Sequence, residues 1–216
     1  MDPQSTGDPQ STYDRIAAHF SKTREYAWPE VESFLEGRSA ARALDTGCGN
    51  GRHTEALAAR AEVAVGVDLS SGLLDEAAAR ARERGFADAS AFVHGDAAAL
   101  PVRDDAVDLA VYVATLHHLS PRAARVESLN ELARVLAPGG VALVSAWSTA
   151  HDRFDSDEGF DTTVDWTLPG GETVPRYYHI YSPAEFAADL SASALATRRS
   201  EISSGNCYAV VAPETA

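Results

Sequence analysis

The stretch Ala43-Leu-Asp-Thr-Gly-Cys-Gly-Asn-Gly-Arg-His-Thr54 decides the fold of this chain. A short apolar run ends at Asp45, and three glycines follow at alternate positions, Gly47, Gly49 and Gly51, before a helix-forming sequence begins. Glycines let a strand turn tightly into a helix and bring backbone N–H groups close to a ligand. The stretch therefore predicts the ligand-binding switch point of an open α/β sheet; a glycine turn of purely structural use is the alternative.

The spacing of the glycines indicates the ligand. Dinucleotide-binding loops follow G-x-G-x-x-G, whereas this loop is one residue tighter, and the acid ahead of it, Asp45, would repel a pyrophosphate. A carboxylate suits a cation instead, and S-adenosylmethionine (SAM) carries a sulfonium and an ammonium group but no phosphate. The D-x-G-x-G-x-G pattern resembles the first motif of the class I SAM-dependent methyltransferases.

Short apolar runs and amphipathic stretches alternate through the rest of the chain. The runs 63–67, 91–93, 108–113, 141–146, 194–201 and 207–211 predict strands, and the stretches 52–60, 71–85, 121–137 and 183–190 predict helices. The alternation implies a parallel sheet with helices on both faces. We therefore predict an α/β fold with a seven-stranded, mostly parallel sheet, the Rossmann-like architecture of class I methyltransferases.

Two parts of the chain depart from this alternation. Residues 1–12 have no apolar pattern and predict a disordered lead-in, so the single domain is expected over 13–216. Short helices around 16–20 and 29–35 predict an N-terminal flap over 13–38. Residues 147–181 are polar, aromatic and punctuated by Gly and Pro, which predicts a functional loop inserted on the substrate side.

The composition limits the possible partners. The 216-residue chain has a formal charge of −14 and Lys22 as its one lysine, which argues against broad attraction to nucleic acid. Abundant Asp with almost no Lys is typical of a halophile with a molar-salt cytoplasm, where charge is screened, or of an acidic protein from a high-GC genome. The Cys and His residues do not have the spacing of a zinc site, so we expect no metal. Without an apolar run of about 18 residues or a signal-peptide pattern, we expect no membrane span and a cytoplasmic protein.

Two further acidic residues lie at the ends of predicted strands. Asp68, next to Leu69, can accept both hydroxyls of a ribose, and a helix-capping role is the alternative. Asp96 can accept from an adenine amino group while the N–H of Ala97 meets the ring; an ordinary loop acid is the alternative. Together with Asp45, these acids at successive strand ends predict a SAM site.

The segment after the fourth predicted strand reads Val113-Ala-Thr-Leu-His117-His118-Leu. It lies where a transferable methyl group is expected, so we assign Val113 and His118 to the cofactor site. Paired histidines also invite a general-base role, and His117 is the candidate. Packing or cofactor positioning is the alternative for at least one of the two.

Four stretches carry a more specific resemblance. They are Tyr13-Asp-Arg-Ile-Ala-Ala-His-Phe-Ser-Lys-Thr-Arg-Glu-Tyr-Ala-Trp-Pro29, Asp161-Thr-Thr-Val-Asp-Trp166, Arg176-Tyr-Tyr-His-Ile-Tyr181 and Ser204-Gly-Asn-Cys-Tyr208. The first resembles the opening of the tRNA wobble-uridine carboxymethyl methyltransferases. The others resemble that family's D-x-x-V-P-W, R-Y-Y-H-V-F and G-N-W-Y motifs, with Asp165 and Cys207 replacing Pro and Trp.

The resemblance implies that the carboxylate of 5-carboxymethyluridine is methylated in the anticodon loop of tRNA. A carboxylate with a pKa near ~4 is already ionised and needs no base, so positioning groups matter most. Arg24 suits the methionine carboxylate of SAM, because Arg binds carboxylates bidentately. We expect the catalytic candidates to be Arg176, Tyr177, His179 and His117, and the substrate-binding candidates to be Tyr13, Trp28, Tyr178 and Asn206.

The resemblance also implies a partner, a small zinc-binding methyltransferase activator protein. The third strand of such sheets lies at an edge, and an exposed edge can pair with another chain. We therefore expect a heterodimer in which the activator docks on the edge strand near Ser90–His94. Alternatives to the tRNA enzyme are a methyltransferase of a small metabolite, such as a quinone or a carboxylic acid, and a silent SAM-fold scaffold. An NAD oxidoreductase fits least, because the glycine spacing differs.

Overall fold

The computed structural model of the chain describes residues 8–214. The helices are α1 (Pro9–Lys22), α2 (Pro29–Leu35), α3 (Arg52–Ala58), α4 (Ser71–Arg84), α5 (Arg122–Val135) and α6 (Pro183–Ser191). The strands are β1 (Ala40–Thr46), β2 (Ala61–Asp68), β3 (Ser90–His94), β4 (Val107–Val113), β5 (Leu136–Trp147), β6 (Phe160–Thr167), β7 (Thr173–Ile180), β8 (Leu195–Ser203) and β9 (Asn206–Pro213).

Seven strands form the main sheet in the order β3-β2-β1-β4-β5-β9-β8, which confirms the predicted fold class. The first five run parallel, and β9 pairs antiparallel with both β5 and β8. Asp45 lies opposite Gly66 on β2 and Val111 on β4. The carboxyl ends of the central strands therefore meet at one edge of the sheet, where the glycine loop leaves β1.

Buried apolar side chains lie on both faces of the sheet. Leu44 and Tyr112 belong to a cluster on one face, and Ala43 and Val111 belong to a cluster on the other. Strands covered on both faces consist of continuous apolar runs instead of alternating ones. This is why the sequence shows β4 as the run Leu109–Val113, in which every residue is buried.

The N-terminal flap begins earlier than the sequence predicts. Asp8 caps α1, with its carboxylate accepting from the backbone N–H of Ser11 at 3.1 Å. Residues 9–12 are therefore helical, which corrects part of the predicted lead-in; residues 1–7 lie outside the described residues. The far end of α1 is fastened to the glycine loop, because Asn50 donates to the carbonyls of Ser21 (3.3 Å) and Arg24 (2.8 Å).

The predicted insertion 147–181 is largely an antiparallel hairpin, which corrects the prediction of an irregular loop. β6 and β7 pair over their whole length, with Val164 opposite Arg176 and Asp161 opposite His179. The sequence shows no apolar strand period here, because the buried face carries the polar residue Arg176 and the exposed face carries the apolar residue Pro175. A smaller difference is that β5 begins at Leu136, directly after α5, whereas the sequence predicts helix to residue 137.

Gly47 is the glycine whose replacement we expect to be most damaging. Its φ is +69°, and an added Cβ would lie 2.1 Å from Oγ1 of Thr115. Gly139 is a matched control, because its φ is +84° and an added Cβ would meet nothing within 4 Å. Both alanine variants carry the left-handed strain of about 1–2 kcal/mol, and only Gly47→Ala adds overpacking of about 1–3 kcal/mol. Urea unfolding should show this difference; equal losses would contradict the Thr115 contact.

Candidate functional site

A cavity of about 410 Å³ opens at the carboxyl edge of the parallel strands. Its floor is the glycine loop and the ends of β2 and β3, and its walls come from α1, the hairpin and the turn that follows β4. Crevices at this edge are the usual ligand sites of open α/β sheets. The predicted site residues that line it are Tyr13, Arg24, Trp28, Gly47, Gly49, Asp68, Leu69, Asp96, Ala97, His117, His118, Arg176 and Tyr178.

Asp68 ties the glycine loop to β2. Its carboxylate accepts from the N–H of Gly49 at 2.8 Å and from that of Ser70 at 2.9 Å. Burial raises the pKa of Asp68, although these N–H groups act in the opposite direction. Asp96 accepts from the N–H of Ala98 at 2.8 Å. Each carboxylate oxygen has two acceptor sites, so both side chains keep capacity for a ligand.

Asp45 lies beneath the loop and does not line the cavity. One of its oxygens accepts from the Thr54 hydroxyl at 2.7 Å, and the other, Oδ1, is buried without a hydrogen-bond partner. Burial is the main reason that the pKa of Asp45 rises to about 7. The carboxyl group is therefore a buried acceptor next to the cavity whose charge forms only near neutral pH.

Gly51 and Val113 are also absent from the cavity lining. An added Cβ on Gly51, whose φ is +76°, would lie 3.1 Å from Ala77 and 3.3 Å from Phe92. The third glycine therefore lets α4 and β3 approach the loop. Val113 is buried in the core on one face of the sheet. The packing of both residues explains why they do not reach the cavity.

Arg176 lies at the centre of the opposite wall. It is 6% exposed, and its guanidinium carbon is 5.0 Å from the ring centre of Trp166 and 5.1 Å from that of Tyr178. Its Nε is buried without a partner. Within residues 8–214 no carboxylate approaches this guanidinium to 4.0 Å. Arg24 stacks on the same indole at 5.5 Å, so the wall carries two cations on an aromatic platform.

The two histidines have fixed hydrogen-bond roles. Nδ1 of His118 lies 3.0 Å from the carbonyl of Tyr177, which can only accept, and Nε2 lies 3.0 Å from the Tyr13 hydroxyl. His118 therefore donates from Nδ1 and accepts from Tyr13. The ring of His117 accepts at Nδ1 from the N–H of Trp147 at 3.1 Å. Burial lowers the pKa of His118 to about 4 and that of His117 well below its usual value, so both rings are neutral.

The Arg-Tyr-Tyr-His motif is divided between two faces, because successive residues of a strand point to opposite sides. Arg176 and Tyr178 face the cavity. The ring of His179 lies between Asp161 (2.7 Å) and Glu185 (2.9 Å) on the other face, and the Tyr177 hydroxyl donates to Asp161 at 2.7 Å. The structure therefore does not bring Tyr177 and His179 to the cavity.

Asn206 also lies away from the cavity lining. It opens β9, opposite Trp147 of β5 and Ser203 of β8, and its side chain donates to the carbonyl of Ser204 at 3.3 Å. The side chain is therefore engaged by the turn before β9. No group of three His, Cys, Asp or Glu side chains in residues 8–214 could hold a metal ion.

Arg52 in the cavity lining and Asp14 behind it are not indicated as functional by the sequence patterns. Arg52 lines the cavity with its guanidinium carbon 5.1 Å from the ring centre of Trp28, and burial lowers its pKa to about 10. Its position directly after the third glycine is a signal that could have revealed it. Asp14 joins α1 to α4, with Oδ1 accepting from the Ser70 hydroxyl at 2.6 Å and the Gly72 N–H at 2.9 Å. No local pattern indicates that pairing.

The sheet order and the cavity define a Rossmann-like α/β protein of the class I methyltransferase type. A family described as "Methyltransferase domain" matches residues 44–144. A protein of Encephalitozoon cuniculi that carries a methyltransferase name is 33% identical over 177 residues, which is 78% of each chain. The chain belongs to the methyltransferase family.

Other relatives carry names that state a substrate. The tRNA (carboxymethyluridine(34)-5-O)-methyltransferase ALKBH8 of Mus musculus is 41% identical over 65% of this chain and 20% of its own length. The protein of that activity name from Saccharomyces cerevisiae is 34% identical over 76% of this chain and 58% of its own length. The chain thus spans between a fifth and about three fifths of these two relatives.

Solved structures share the fold at low identity. The CcbJ methyltransferase of Streptomyces caelestis covers 97% of this chain and all of its own, with 20% identity and a TM-score of 0.78. The DhpI–SAH complex covers 95% of both chains, with 22% identity and a TM-score of 0.71. A methyltransferase in complex with the Haloferax volcanii Trm112 activator covers 97% of this chain and 99% of its own, with 17% identity and a TM-score of 0.71.

Replacing Asp45 with asparagine, which does not titrate, should change how the stability of the protein depends on pH. The folded-state pKa of Asp45, about 7, lies above its ordinary value of 3.8, so the contribution of Asp45 to stability is most favourable below pH 4 and is lost as the pH rises through 7. The full decline is on the order of 4 kcal/mol, at 1.36 kcal/mol per pKa unit. Asp45→Asn keeps an acceptor for Thr54 and should lack most of this decline in thermal unfolding from pH 4 to 8.5. The exposed Asp88→Asn is the control; parallel profiles for Asp45→Asn and wild type would contradict the assignment.

Proposed function

We propose that the cavity binds SAM, which supplies a methyl group on a sulfonium. The support is that the glycine loop, Asp68 and Asp96 line one cavity, and that solved structures of the same fold are named as complexes with SAH or SAM. Asp68 would accept from the ribose hydroxyls with its remaining lone pairs, and Asp96 with Ala97 would hold the adenine. Arg24 or Arg52 would hold the methionine carboxylate, because both guanidinium groups line the cavity.

We propose that the methyl acceptor is a carboxylate. The observation that carries this proposal is Arg176, a buried guanidinium in the cavity wall without a carboxylate partner among the described residues. An anionic acceptor would supply that partner. Neither histidine has a free ring lone pair to act as a base, because Nδ1 of His117 accepts from the Trp147 N–H and Nε2 of His118 accepts from the Tyr13 hydroxyl. A carboxylate ionised above a pKa of about 4 needs no base, whereas an amine or hydroxyl acceptor would need one.

The carboxylate is proposed to be that of 5-carboxymethyluridine, or a related derivative, at the wobble position of tRNA. The support is the identity to relatives with that activity in their names, together with the aromatic side chains around the cavity. Trp28, Trp147 and Tyr178 line it, and single-stranded bases are recognised by stacking on such rings. With a tRNA substrate, we expect the protein to act in the cytoplasm.

Replacing Arg176 should separate acceptor binding from cofactor binding. Arg176→Met keeps much of the side-chain volume but removes the charge, so the methyl-transfer rate on undermodified tRNA should fall at least 100-fold, as is typical for loss of a buried electrostatic contact. The affinity for S-adenosylhomocysteine should stay within about twofold, because Arg176 lies on the acceptor wall.

The matched control is Arg199→Met, an exposed arginine of β8 paired with Glu201. It should transfer methyl groups at the wild-type rate. If wild type labelled small carboxylic acids or quinones but no tRNA, the tRNA assignment would be wrong. Loss of cofactor affinity in Arg176→Met would instead move this residue to the cofactor site.

We propose that a small activator protein docks on β3. Among residues 8–214 this strand pairs only with β2 and ends the sheet, so its outer edge can accept another strand. Val93 is 36% exposed, whereas the ring of Phe92 packs inward against Gly51 and Gly66. The complex of a Haloferax volcanii activator with a methyltransferase of this fold supports such a partner.

No helix within residues 8–214 is long and apolar enough to cross a membrane.

Val93→Glu should weaken the complex with such an activator by at least tenfold, because it places a carboxylate in the strand-pairing interface. Ile202→Glu is the control, since Ile202 is 49% exposed on β8 at the opposite edge of the sheet. Affinity can be measured by titration calorimetry with purified proteins at matched salt. An equal loss in both variants, or none in Val93→Glu, would count against docking on β3.

A further inference from the structure

Tyr26 is an exposed aromatic residue beside the cavity. It is 71% exposed and lies in the connection between α1 and α2. The residues two positions before and after it, Arg24 and Trp28, both line the cavity. Tyr26 therefore lies at the rim of the cavity, with its ring in solvent.

The backbone around Tyr26 is held by buried side chains. Asn50, 1% exposed, donates to the carbonyl of Arg24 at 2.8 Å. The guanidinium of Arg80 donates to the carbonyl of Glu25, and it is itself fixed by an ion pair with Glu55 at 2.7 Å. The exposed ring is thus attached to a preorganised backbone, so little conformational freedom is lost when the ring binds a ligand.

The charges near this rim favour an anionic polymer more than the net charge of the chain suggests. Arg24 and Arg52 line the adjacent cavity, and neither lies within 4.0 Å of a carboxylate among the described residues. The one acid next to Tyr26, Glu25, is paired with Arg84 at 3.3 Å. Cations without a carboxylate partner therefore lie on the cavity side of Tyr26.

We propose that Tyr26 is a stacking platform for the base of a nucleotide that flanks the target in a single-stranded RNA loop. This inference rests on the proposed function. An RNA whose target base enters the cavity continues out of the mouth, whereas a small metabolite does not. A neutral aromatic face stacks on any base, so the contact adds affinity without demanding a particular sequence.

The surroundings of Tyr26 favour a base over an apolar protein surface. Lys22, Thr23 and Glu25 are also exposed, and the other large hydrophobic residues that are exposed among residues 8–214, Val93 and Ile202, lie on the edge strands β3 and β8. Protein interfaces have contiguous apolar centres. One isolated ring with cations nearby matches the size and charge of one nucleotide.

The test compares Tyr26→Ala with Tyr26→Phe and Tyr26→Trp. The substrates are an anticodon stem-loop RNA that carries 5-carboxymethyluridine and the free 5-carboxymethyluridine nucleoside. Stacking loss should raise the KM for the stem-loop by about 5- to 100-fold in Tyr26→Ala. The Phe and Trp variants should stay within about threefold of wild type, because the ring and not the hydroxyl makes the contact. Activity on the nucleoside and affinity for S-adenosylhomocysteine should not change.

A fluorescent base gives a second readout. 2-Aminopurine placed directly before or after the target uridine should be quenched by wild type at one of the two positions, and this quenching should disappear in Tyr26→Ala. An unchanged KM for the stem-loop in Tyr26→Ala would overturn the platform while leaving the tRNA function intact. Loss of activator binding in that variant with RNA affinity retained would also overturn it. Failure of wild type to methylate the stem-loop would overturn the proposed function itself.

Discussion

The hydrogen bond from the Gly49 N–H to the Asp68 carboxylate, 2.8 Å long, is the contact on which the rest of the site depends. It joins the loop after β1 to the end of β2, two segments that meet because parallel strands present their carboxyl ends at one edge. The loop can make this turn because its glycines adopt positive φ angles, and at Gly47 a side chain would collide with Thr115. The residues proposed to bind the cofactor, which come from separate strands, thereby lie around one cavity.

The side of the cavity proposed to hold the methyl acceptor has a different origin, since it is built where α1 meets the β6–β7 hairpin. The indole of Trp166 donates to His19 at 3.1 Å, and Tyr13 donates to His118, whose ring contacts the backbone of β7. These contacts position Arg176 opposite the glycine loop. A buried cation without a carboxylate partner among the described residues is costly unless a ligand or aromatic rings stabilise it. The arrangement therefore links the structure of the flap to the position of Arg176, the residue proposed to bind the acceptor.

Local patterns predicted the main sheet well, because apolar runs, glycines and strand-end acids act within a few residues of one another. They failed where the environment of a segment is formed by distant parts of the chain. The hairpin lacked a clear apolar period because its buried face carries the charged residue Arg176, which packs against two aromatic rings. The sequence alone did not show that the Arg-Tyr-Tyr-His motif is a strand, so it could not show which of its side chains face the cavity. In the structure Tyr177 and His179 point to the other face, where they contact Asp161 and Glu185.

The sequence by itself determined the class I fold and the family, because the glycine spacing, the acids and the flanking motifs are local and specific. Tertiary structure alone decided which predicted residues line the cavity. Asp45 proved to be buried beneath the loop, Gly51 proved to be a packing position, and Arg52 joined the site. The physical reason is that a side chain's direction and charge state depend on the surfaces that bury it, and those surfaces come from residues far away in the chain.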